Sequence, residues 1–297
     1  MLEGEWRKNH RRYFQIAGIT IQVDSDLPIT DTTFRSKFKV FEVDGKGEDT
    51  ITIRHHFSIP DLGDRDLGKE VYRKLPWAIY RKEDSWIYLG ISSETSHIWG
   101  TAILNYDHTK SEIYSSGEEY FLRGDLHSLT CFPTDQILLA RILADREGYY
   151  LHSGGVILDD KGFVFVGHSD AGKSTMVTML KDEAEILCDD RIIVRRWPEG
   201  FRAHGTWSHG DIPDVSANSA PLRAIMFLEQ AQDNRLLPLN DQKEIMRRVL
   251  ACLIKPLVTT DWWEKTLDLV EKMIQEVPFY IVQFDKSGRV LDLLKNL

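Results

Sequence analysis

The sequence contains few cysteines, and their placement excludes two common kinds of site. The 297 residues include three, Cys131, Cys188 and Cys252, which lie far apart and form no C-x-x-C pair. A disulfide framework needs an even, closely spaced set, and a structural zinc site needs clustered ligands. Neither is predicted, and this cysteine usage favours a cytoplasmic protein.

Long apolar runs are also missing. No stretch approaches the roughly 18 apolar residues that a membrane-spanning helix requires. The N-terminus is charged rather than apolar. We therefore expect neither a signal peptide nor a membrane partner.

The sequence also has no surplus of positive charge. The formal net charge is -9, with 37 Lys and Arg against 46 Asp and Glu. Proteins that bind nucleic acids hold the phosphate backbone mainly with Lys and Arg, so no nucleic-acid partner is expected. The apolar fraction of 42% is that of a globular protein with a sizeable core.

The first 130 residues contain short β-branched or aromatic segments separated by Asp, Gly, Ser or Glu clusters. Such segments predict strands, and residues 1–130 are expected to form a mainly antiparallel β region. His55 and His56 are adjacent and point to opposite faces of a strand, which favours ordinary strand residues over metal ligands. The predicted strands cover residues 13–23, 38–43, 50–57, 78–81, 85–91 and 98–104.

The pattern changes near Pro133, where a second region, 131–297, is expected to begin. A capping residue and apolar residues at helical spacing predict a helix over 134–144. Two apolar arms around an Asp-Lys-Gly turn then predict a hairpin that starts at residue 149. Strands are further predicted at 186–188, 192–194, 224–229 and 279–284, and helices at 241–254 and 261–276. The fold class expected is α/β (α+β).

One motif organises this second region, because it fits the phosphate-binding pattern G-x-x-x-x-G-K-[ST], the Walker A motif. It reads Gly167-His168-Ser169-Asp170-Ala171-Gly172-Lys173-Ser174. A predicted strand precedes it, and helical spacing follows from Thr175. Backbone N–H groups and a helix N-terminus attract an anion, a lysine adds a charge, and the last hydroxyl can ligate magnesium. Residues 167–175 therefore predict a nucleotide site, with a coincidental tight turn as the alternative.

Two carboxylates follow the motif. Asp189 and Asp190 end an apolar strand, fifteen residues beyond Ser174. Carboxylates in this position suit magnesium coordination and acceptance of a proton from an attacking hydroxyl. The alternative is that both residues only cap a turn.

Three later features allow more than one interpretation. The polar, glycine-bearing stretch 205–215 either borders an acceptor site or is a surface connection. His204 and His209 carry no metal assignment, and Arg235 is a potential phosphate contact. Trp262 and its neighbour Trp263 are expected in the core or at an interface.

A resemblance to a known family rests on three runs in order. They are His152-Ser153-Gly154-Gly155-Val156, the phosphate loop, and Asp189-Asp190-Arg191. Their order and spacing resemble the catalytic core of the HPr kinase/phosphorylase family, a relative of the ATP-dependent phosphoenolpyruvate carboxykinases. The resemblance covers residues 130–285 and implies a P-loop core of the HPr kinase/PEP carboxykinase type. The N-terminal part resembles only the HPr-kinase-related proteins.

That resemblance also implies roles for individual residues. Lys173 would bind the β- and γ-phosphates of ATP, and Ser174 and Asp190 would hold Mg²⁺. Asp189 would be the catalytic base, and His152 would neighbour the reacting phosphoryl group. The roles of the two aspartates can be exchanged, because the sequence does not order them.

The function implied is an ATP- and Mg²⁺-dependent kinase that phosphorylates a hydroxyl, in the first place a serine of a protein or peptide. A modified-peptide precursor is one variant of that acceptor. Thr175 stands where HPr kinases commonly have an acidic residue, which argues against the reverse, phosphorolytic reaction. One alternative is a kinase for free serine or a sugar. The other is a non-catalytic nucleotide-binding regulatory protein, motivated by Asp170 in a loop position where glycine is common. The sequence does not determine the oligomeric state.

Overall fold

The structure is a computed structural model that describes residues 9–62, 66–130, 138–168, 170–256 and 260–297. It contains two large sheets and few helices, so the chain is a mixed α/β protein. Two compact units make up the chain: Met1–Ile142 with Pro256–Val258, and Leu143–Lys255 with Thr259–Leu297. The boundary predicted between residues 130 and 131 adjoins 131–137, which lies outside the described residues, and stays a prediction.

The first unit is built on a nine-stranded sheet. The strands are β1 Arg11–Ile16, β2 Ile19–Ser25, β3 Glu42–Val43, β4 Thr50–His56, β5 Lys69–Lys74, β6 Trp77–Lys82, β7 Ser85–Ile91, β8 Ile98–Asn105 and β9 Lys110–Ser115. Their spatial order is β3-β1-β2-β4-β9-β8-β7-β6-β5. Strand β4 pairs in parallel with β2 and β9, and the remaining neighbours pair antiparallel. This agrees with the mainly antiparallel region predicted from the sequence.

The strand predicted over residues 38–43 is wrong for most of its length. Ser36–Phe41 forms a 3-10 helix, and only Glu42–Val43 is a strand. In a 3-10 helix side chains three residues apart lie on the same side, and Phe38 and Phe41 are both buried. Val40, which a strand would place on the same face as Phe38, is 54% exposed. Aromatic burial therefore outweighs strand propensity here.

The sequence pattern does not predict four of the strands. Strand β5 forms the outer edge of the first sheet and has mostly exposed side chains, so it lacks alternation of apolar and polar residues. The second unit contains another edge strand with mostly exposed residues, Arg235–Pro238. Strand β9 and the five-residue strand Gly200–His204 are also absent from the predicted set.

The second unit contains an eight-stranded sheet. The strands are β10 Gly148–Leu158, β11 Lys161–Val166, β12 Glu185–Cys188, β13 Arg191–Trp197, β14 Gly200–His204, β15 Ser219–Gln230, β16 Arg235–Pro238 and β17 Phe279–Phe284. Their order is β11-β10-β13-β14-β15-β17-β16, and β12 pairs with β10. Strand β11 also pairs with β15, so the two long strands β10 and β15 each pair with three other strands.

The hairpin formed by β10 and β11 leads into the phosphate-binding motif. Its connection is Asp159-Asp160, and both residues have positive φ, 49° and 60°. Two-residue hairpin loops with both residues at positive φ match the twist of the flanking strands. The predicted Asp-Lys-Gly turn, residues 160–162, therefore begins one residue and ends two residues too far along the chain, since Lys161 and Gly162 already pair within the sheet.

Three neighbouring strands of the second sheet run parallel, namely β11, β15 and β17. Val166, Gln230 and Phe284 end them on the same edge of the sheet. Loops that follow parallel strands meet at that edge, where open α/β sheets commonly bind ligands. The phosphate-binding motif begins directly after the first of these strands.

Helices cover both faces of the parallel strands. Val164, Val166 and Phe227 pack in the same layer as Trp262 and Met273. Phe163, Phe165 and Met226 pack in the opposite layer, with residues of the helix that follows the motif. Successive side chains of each strand point to opposite sides of the sheet, so the parallel strands have two apolar faces.

Most of the described helices are short, and the two longer ones, Gln242–Cys252 and Thr260–Glu276, lie in the second unit. Among the described residues none is long and apolar enough to cross a membrane. The helix predicted over 134–144 is seen as Ala140–Ala144, and residues 134–137 lie outside the described residues. The helices are Glu119–Arg123, Ala140–Ala144, Lys173–Leu180, Gln242–Cys252, Thr260–Glu276 and Val290–Lys295.

The layered core predicts a large cost for truncating a strand residue in it. Phe165 is fully buried in β11, and Phe165→Ala is expected to lower the free energy of unfolding by about 3–5 kcal/mol because it leaves a cavity. Urea denaturation followed by tryptophan fluorescence measures this. The matched control is Leu237→Ala in β16, 40% exposed, for which a change below about 1 kcal/mol is expected. Equal losses in the two variants would contradict the assignment of Phe165 to the core.

Candidate functional site

The phosphate-binding motif forms a loop between β11 and the helix Lys173–Leu180. The strand, loop and helix therefore occur in the predicted order. Lys173 is buried, and its Nζ donates hydrogen bonds to the carbonyl oxygens of Gly167 and His168, each at 3.0 Å. Ser169, one of the predicted phosphate contacts, lies outside the described residues. The lysine ammonium is thus held against the loop from which the amides of an anion site would come.

Both glycines of the motif lie where a side chain would have too little room. A Cβ on Gly167 would lie 2.5 Å from Cβ of Ala171, and a Cβ on Gly172 would lie 2.8 Å from the Phe284 ring. Gly172 also has φ +96°, in the left-handed region that side chains rarely adopt. The loop can reach this compactness only with glycine at the two positions.

Asp170 has a backbone role in this loop. Its φ is 68°, a left-handed value that Asp tolerates better than most residues. Its carbonyl oxygen accepts a hydrogen bond of 3.0 Å from the side-chain Nε2 of Gln230, at the end of β15. The residue that departs from the common glycine therefore fits the conformation that glycine would adopt.

Asp189 contacts the end of the motif. Its Oδ2 accepts a hydrogen bond of 2.8 Å from Oγ of Ser174. The side chain lies directly after β12 and is only 1% exposed. Two backbone N–H groups complete its partners: Gly210 donates to Oδ1 at 2.7 Å, and Ile212 donates to Oδ2 at 3.1 Å.

Asp190 has different neighbours. Its Oδ1 lies 3.4 Å from Nε2 of His152, and its Oδ2 lies 3.3 Å from Nε of Arg191. The side chain is 26% exposed. His152 and Arg191 are partners in the pairing of β10 with β13, and the backbone N–H of Ser153 donates to the carbonyl of Asp190 at 3.0 Å. The hairpin strand and the Asp-Asp-Arg turn are thereby joined.

The charges of these groups act on one another. Burial lowers the pKa of the Lys173 ammonium, and Asp190 is the strongest of the acidic groups that oppose the shift. Burial also lowers the pKa of His152, the positive charge of Lys173 lowers it further, and Asp190 opposes both. The imidazole of His152 is therefore neutral near pH 7, and a neutral imidazole can accept or donate a hydrogen bond.

The structure brings together five of the residues singled out from the sequence. Lys173, Ser174 and Asp189 meet at the motif, and His152 and Asp190 adjoin them. Thr175 follows Ser174 in the first turn of the helix. Arg235, the potential phosphate contact, is exposed and forms an ion pair of 3.1 Å with Asp233.

Sequence reasoning misses the amides of Gly210 and Ile212. Backbone donors leave no residue-type signal, and the stretch 205–215 could only be described as polar and glycine-bearing. Residues 206–208 within it are buried, so this part is not a surface connection.

The remaining histidines have other partners. Nε2 of His204 lies 3.2 Å from Nε1 of Trp197, and burial lowers the pKa of His204 to about 3. Burial likewise lowers the pKa of His55 to about 4, and its ring contacts the carbonyl of Leu129 at 2.8 Å. His56 lies between Asp26 and Glu112. Among the described residues, no group of three or more His, Cys, Asp or Glu side chains is arranged to hold a metal ion.

The fold and site define a mixed α/β protein with a loop of the phosphate-binding pattern beside two adjacent aspartates. A family model described as "SynChlorMet cassette protein ScmC" matches residues 136–296. This match covers more than half of the chain, and the chain belongs to that family. The description names a cassette and no activity.

Other comparisons are weaker. No curated protein matches the chain. The structure of the Hpr(Ser) kinase/phosphatase from Coxiella burnetii is similar to 50% of this chain and 93% of that chain, with 13% sequence identity and a TM-score of 0.31.

The coupling of Lys173 to His152 is testable by titration. Lys173→Met removes the positive charge that lowers the pKa of His152, so this pKa is expected to rise toward the ordinary histidine value of 6.5, while burial keeps it below that value. NMR titration of the His152 ring protons measures the shift. Lys181→Gln removes a charge from an exposed position at the other end of the same helix and should leave the pKa unchanged. A fall in the His152 pKa on Lys173→Met would contradict the coupling.

Proposed function

We propose that the chain binds a nucleoside triphosphate with Mg²⁺ at the loop 167–172 and transfers the terminal phosphoryl group to a hydroxyl. The observation that carries the proposal is the hydrogen bond between Ser174 and Asp189. It joins the hydroxyl that ends the phosphate-binding motif to a carboxylate at the end of a neighbouring strand. This pair of groups holds Mg²⁺ in proteins that bind nucleotides through such a loop.

The loop has the chemistry that phosphates require. Two glycines allow close approach of backbone N–H groups, and the helix Lys173–Leu180 begins at the loop with its N-terminus, the positive end of the helix dipole. The Lys173 ammonium, held at two loop carbonyls, would add a full positive charge. Residues 167–175 are therefore the proposed phosphate contacts.

The contacts favour Asp189 over Asp190 as the carboxylate on the metal side, which exchanges the roles implied by the family resemblance. Ser174 and Asp189 are within hydrogen-bond distance, so one ion could contact both groups directly or through water. Mg²⁺ commonly binds with one or two protein ligands, several waters and the phosphates of its substrate. A cage of three acidic or histidine side chains is not needed.

Asp190 is then the proposed base. Its carboxylate is more accessible than that of Asp189, and it adjoins His152. Both oxygens of Asp189 already accept hydrogen bonds from backbone N–H groups, so fewer of its lone pairs are free to meet an acceptor hydroxyl. Asp190 would accept the proton of the acceptor hydroxyl, while His152 and Arg191 orient its carboxylate. ATP with Mg²⁺ would supply the phosphoryl group and the divalent charge that offsets its negative charge.

The acceptor proposed first is a serine of a protein or peptide, for which the resemblance of the sequence to HPr-kinase-related proteins is the support. The family description refers to a cassette, and products encoded in the same cassette are therefore the acceptors to test first. Free serine and sugars represent the small-molecule alternative.

Phosphoryl transfer is tested with labelled ATP, Mg²⁺ and these acceptors. Asp190→Asn is expected to lower the rate of transfer by about 10²- to 10⁴-fold, the usual contribution of a general base, without weakening ATP binding. Asp189→Asn and Ser174→Ala are expected to weaken ATP binding mainly when Mg²⁺ is present. Calorimetry with and without Mg²⁺ separates the two effects. Asp182→Asn, an exposed carboxylate after the helix, serves as the matched control and should resemble the wild type.

Three results would contradict the proposal in part or as a whole. Full transfer by Asp190→Asn, with loss in Asp189→Asn, would restore Asp189 as the base. Binding of ATP with Mg²⁺ but no transfer to any acceptor would support the non-catalytic nucleotide-binding protein. Failure of the wild-type protein to bind ATP would exclude both the kinase and the non-catalytic nucleotide-binding protein.

A further inference from the structure

We infer that the segment Thr206–Ile212, called the bracket here, positions Asp189 for the metal, and that glycine at position 210 lets the bracket approach the carboxylate closely. The inference rests on the proposed function, because it concerns the carboxylate assigned to the metal side. It adds residues outside the phosphate loop and outside the Asp-Asp-Arg turn. The polar stretch 205–215 thereby acquires a definite role.

The bracket holds both oxygens of one carboxylate. The Gly210 N–H donates to Oδ1 of Asp189 at 2.7 Å, and the Ile212 N–H donates to Oδ2 at 3.1 Å. Oδ2 also receives the Ser174 hydroxyl. With one donor on Oδ1 and two on Oδ2, the plane of the carboxylate is set by the bracket on one side and by the phosphate loop on the other.

The bracket is itself anchored at its first residues. Thr206 Oγ1 donates to the carbonyl of Arg191 at 2.6 Å, and the Ser208 N–H donates to the same Thr206 hydroxyl at 3.2 Å. Trp207 between them is buried. Ser208 is further joined to the hydroxyl of Tyr150 at 2.9 Å, two residues before His152 in β10. The bracket thus links the end of the Asp-Asp-Arg turn, the strand that carries His152, and Asp189.

Glycine at position 210 permits the close approach. A Cβ built on Gly210 would lie 3.2 Å from Oδ2 and 3.5 Å from Oδ1 of Asp189. A contact of 3.2 Å is tighter than ordinary van der Waals packing, so either the carboxylate or the bracket would have to move. Movement of Asp189 would change its distance to Ser174, which is the contact proposed to hold the metal.

Gly210→Ala is therefore expected to weaken the effect of Mg²⁺ on ATP binding. Changes to groups that orient a metal ligand typically cost about 10- to 100-fold in metal affinity, and a loss in this range is expected for the Mg²⁺-dependent part of binding. The affinity for ATP without Mg²⁺ should stay within about twofold, since the loop and Lys173 are unaltered. Calorimetric titration of ATP with and without Mg²⁺ provides both values. A bracket with only a structural role would lower thermal stability without this selective loss.

The matched control is Gly45→Ala in the first unit, where no atom lies within 4 Å of the added Cβ. It should change neither binding constant. Unchanged Mg²⁺ dependence in a folded Gly210→Ala protein would overturn the inference.

Hydrogen exchange tests the bracket independently of nucleotide. In the nucleotide-free protein, Asp189→Ala should speed amide exchange of Gly210 and Ile212 by about 10-fold or more, because hydrogen bonds to a charged acceptor are lost. Unchanged exchange of these amides would overturn the inference even if ATP binds. If the wild type binds no ATP, the proposed function fails, and the exchange result alone decides whether Asp189 and the bracket are coupled.

Discussion

A buried carboxylate is the constraint on which the site depends. Removing a charged group from water is costly unless hydrogen-bond donors surround it. Asp189 is almost fully buried, and its three donors come from two other parts of the chain: the hydroxyl of Ser174, and the backbone N–H groups of Gly210 and Ile212. The hydrogen bonds to this one carboxylate therefore hold the phosphate loop, the end of β12 and the bracket in place relative to one another.

The sheet of the second unit supplies the frame for that arrangement. Its parallel strands end on one edge, and the phosphate loop leaves from that edge between two layers of packed helices. Gln230 and Phe284, at the ends of two neighbouring strands, contact the loop at Asp170 and Gly172. Contacts of this kind support the loop at these two residues, and such support would lower the entropy cost of binding at the proposed site.

Two adjacent residues of the same type acquire different chemistry from their surroundings. Asp189 is held by backbone amides, whereas Asp190 lies between a neutral histidine and an arginine and retains access to solvent. The strand β10 contributes to this difference because His152 pairs with Arg191 in the sheet. Both residues lie in the turn between β12 and β13, where each carboxylate contacts its own set of partners.

The sequence alone determined the strand, loop and helix around the motif, since the glycines, the lysine and the flanking apolar periodicity are local features. It also indicated most strands of the first unit and both longer helices of the second. It could not predict the 3-10 helix at Phe38, where the burial of aromatic rings decides the conformation, or the edge strands, which lack alternation. Nor could it distinguish the contacts of Asp189 from those of Asp190, or identify the bracket. Those depend on hydrogen bonds between residues distant in the chain, and backbone amides donate from any residue type except proline. Only the tertiary structure brings such donors to a particular carboxylate.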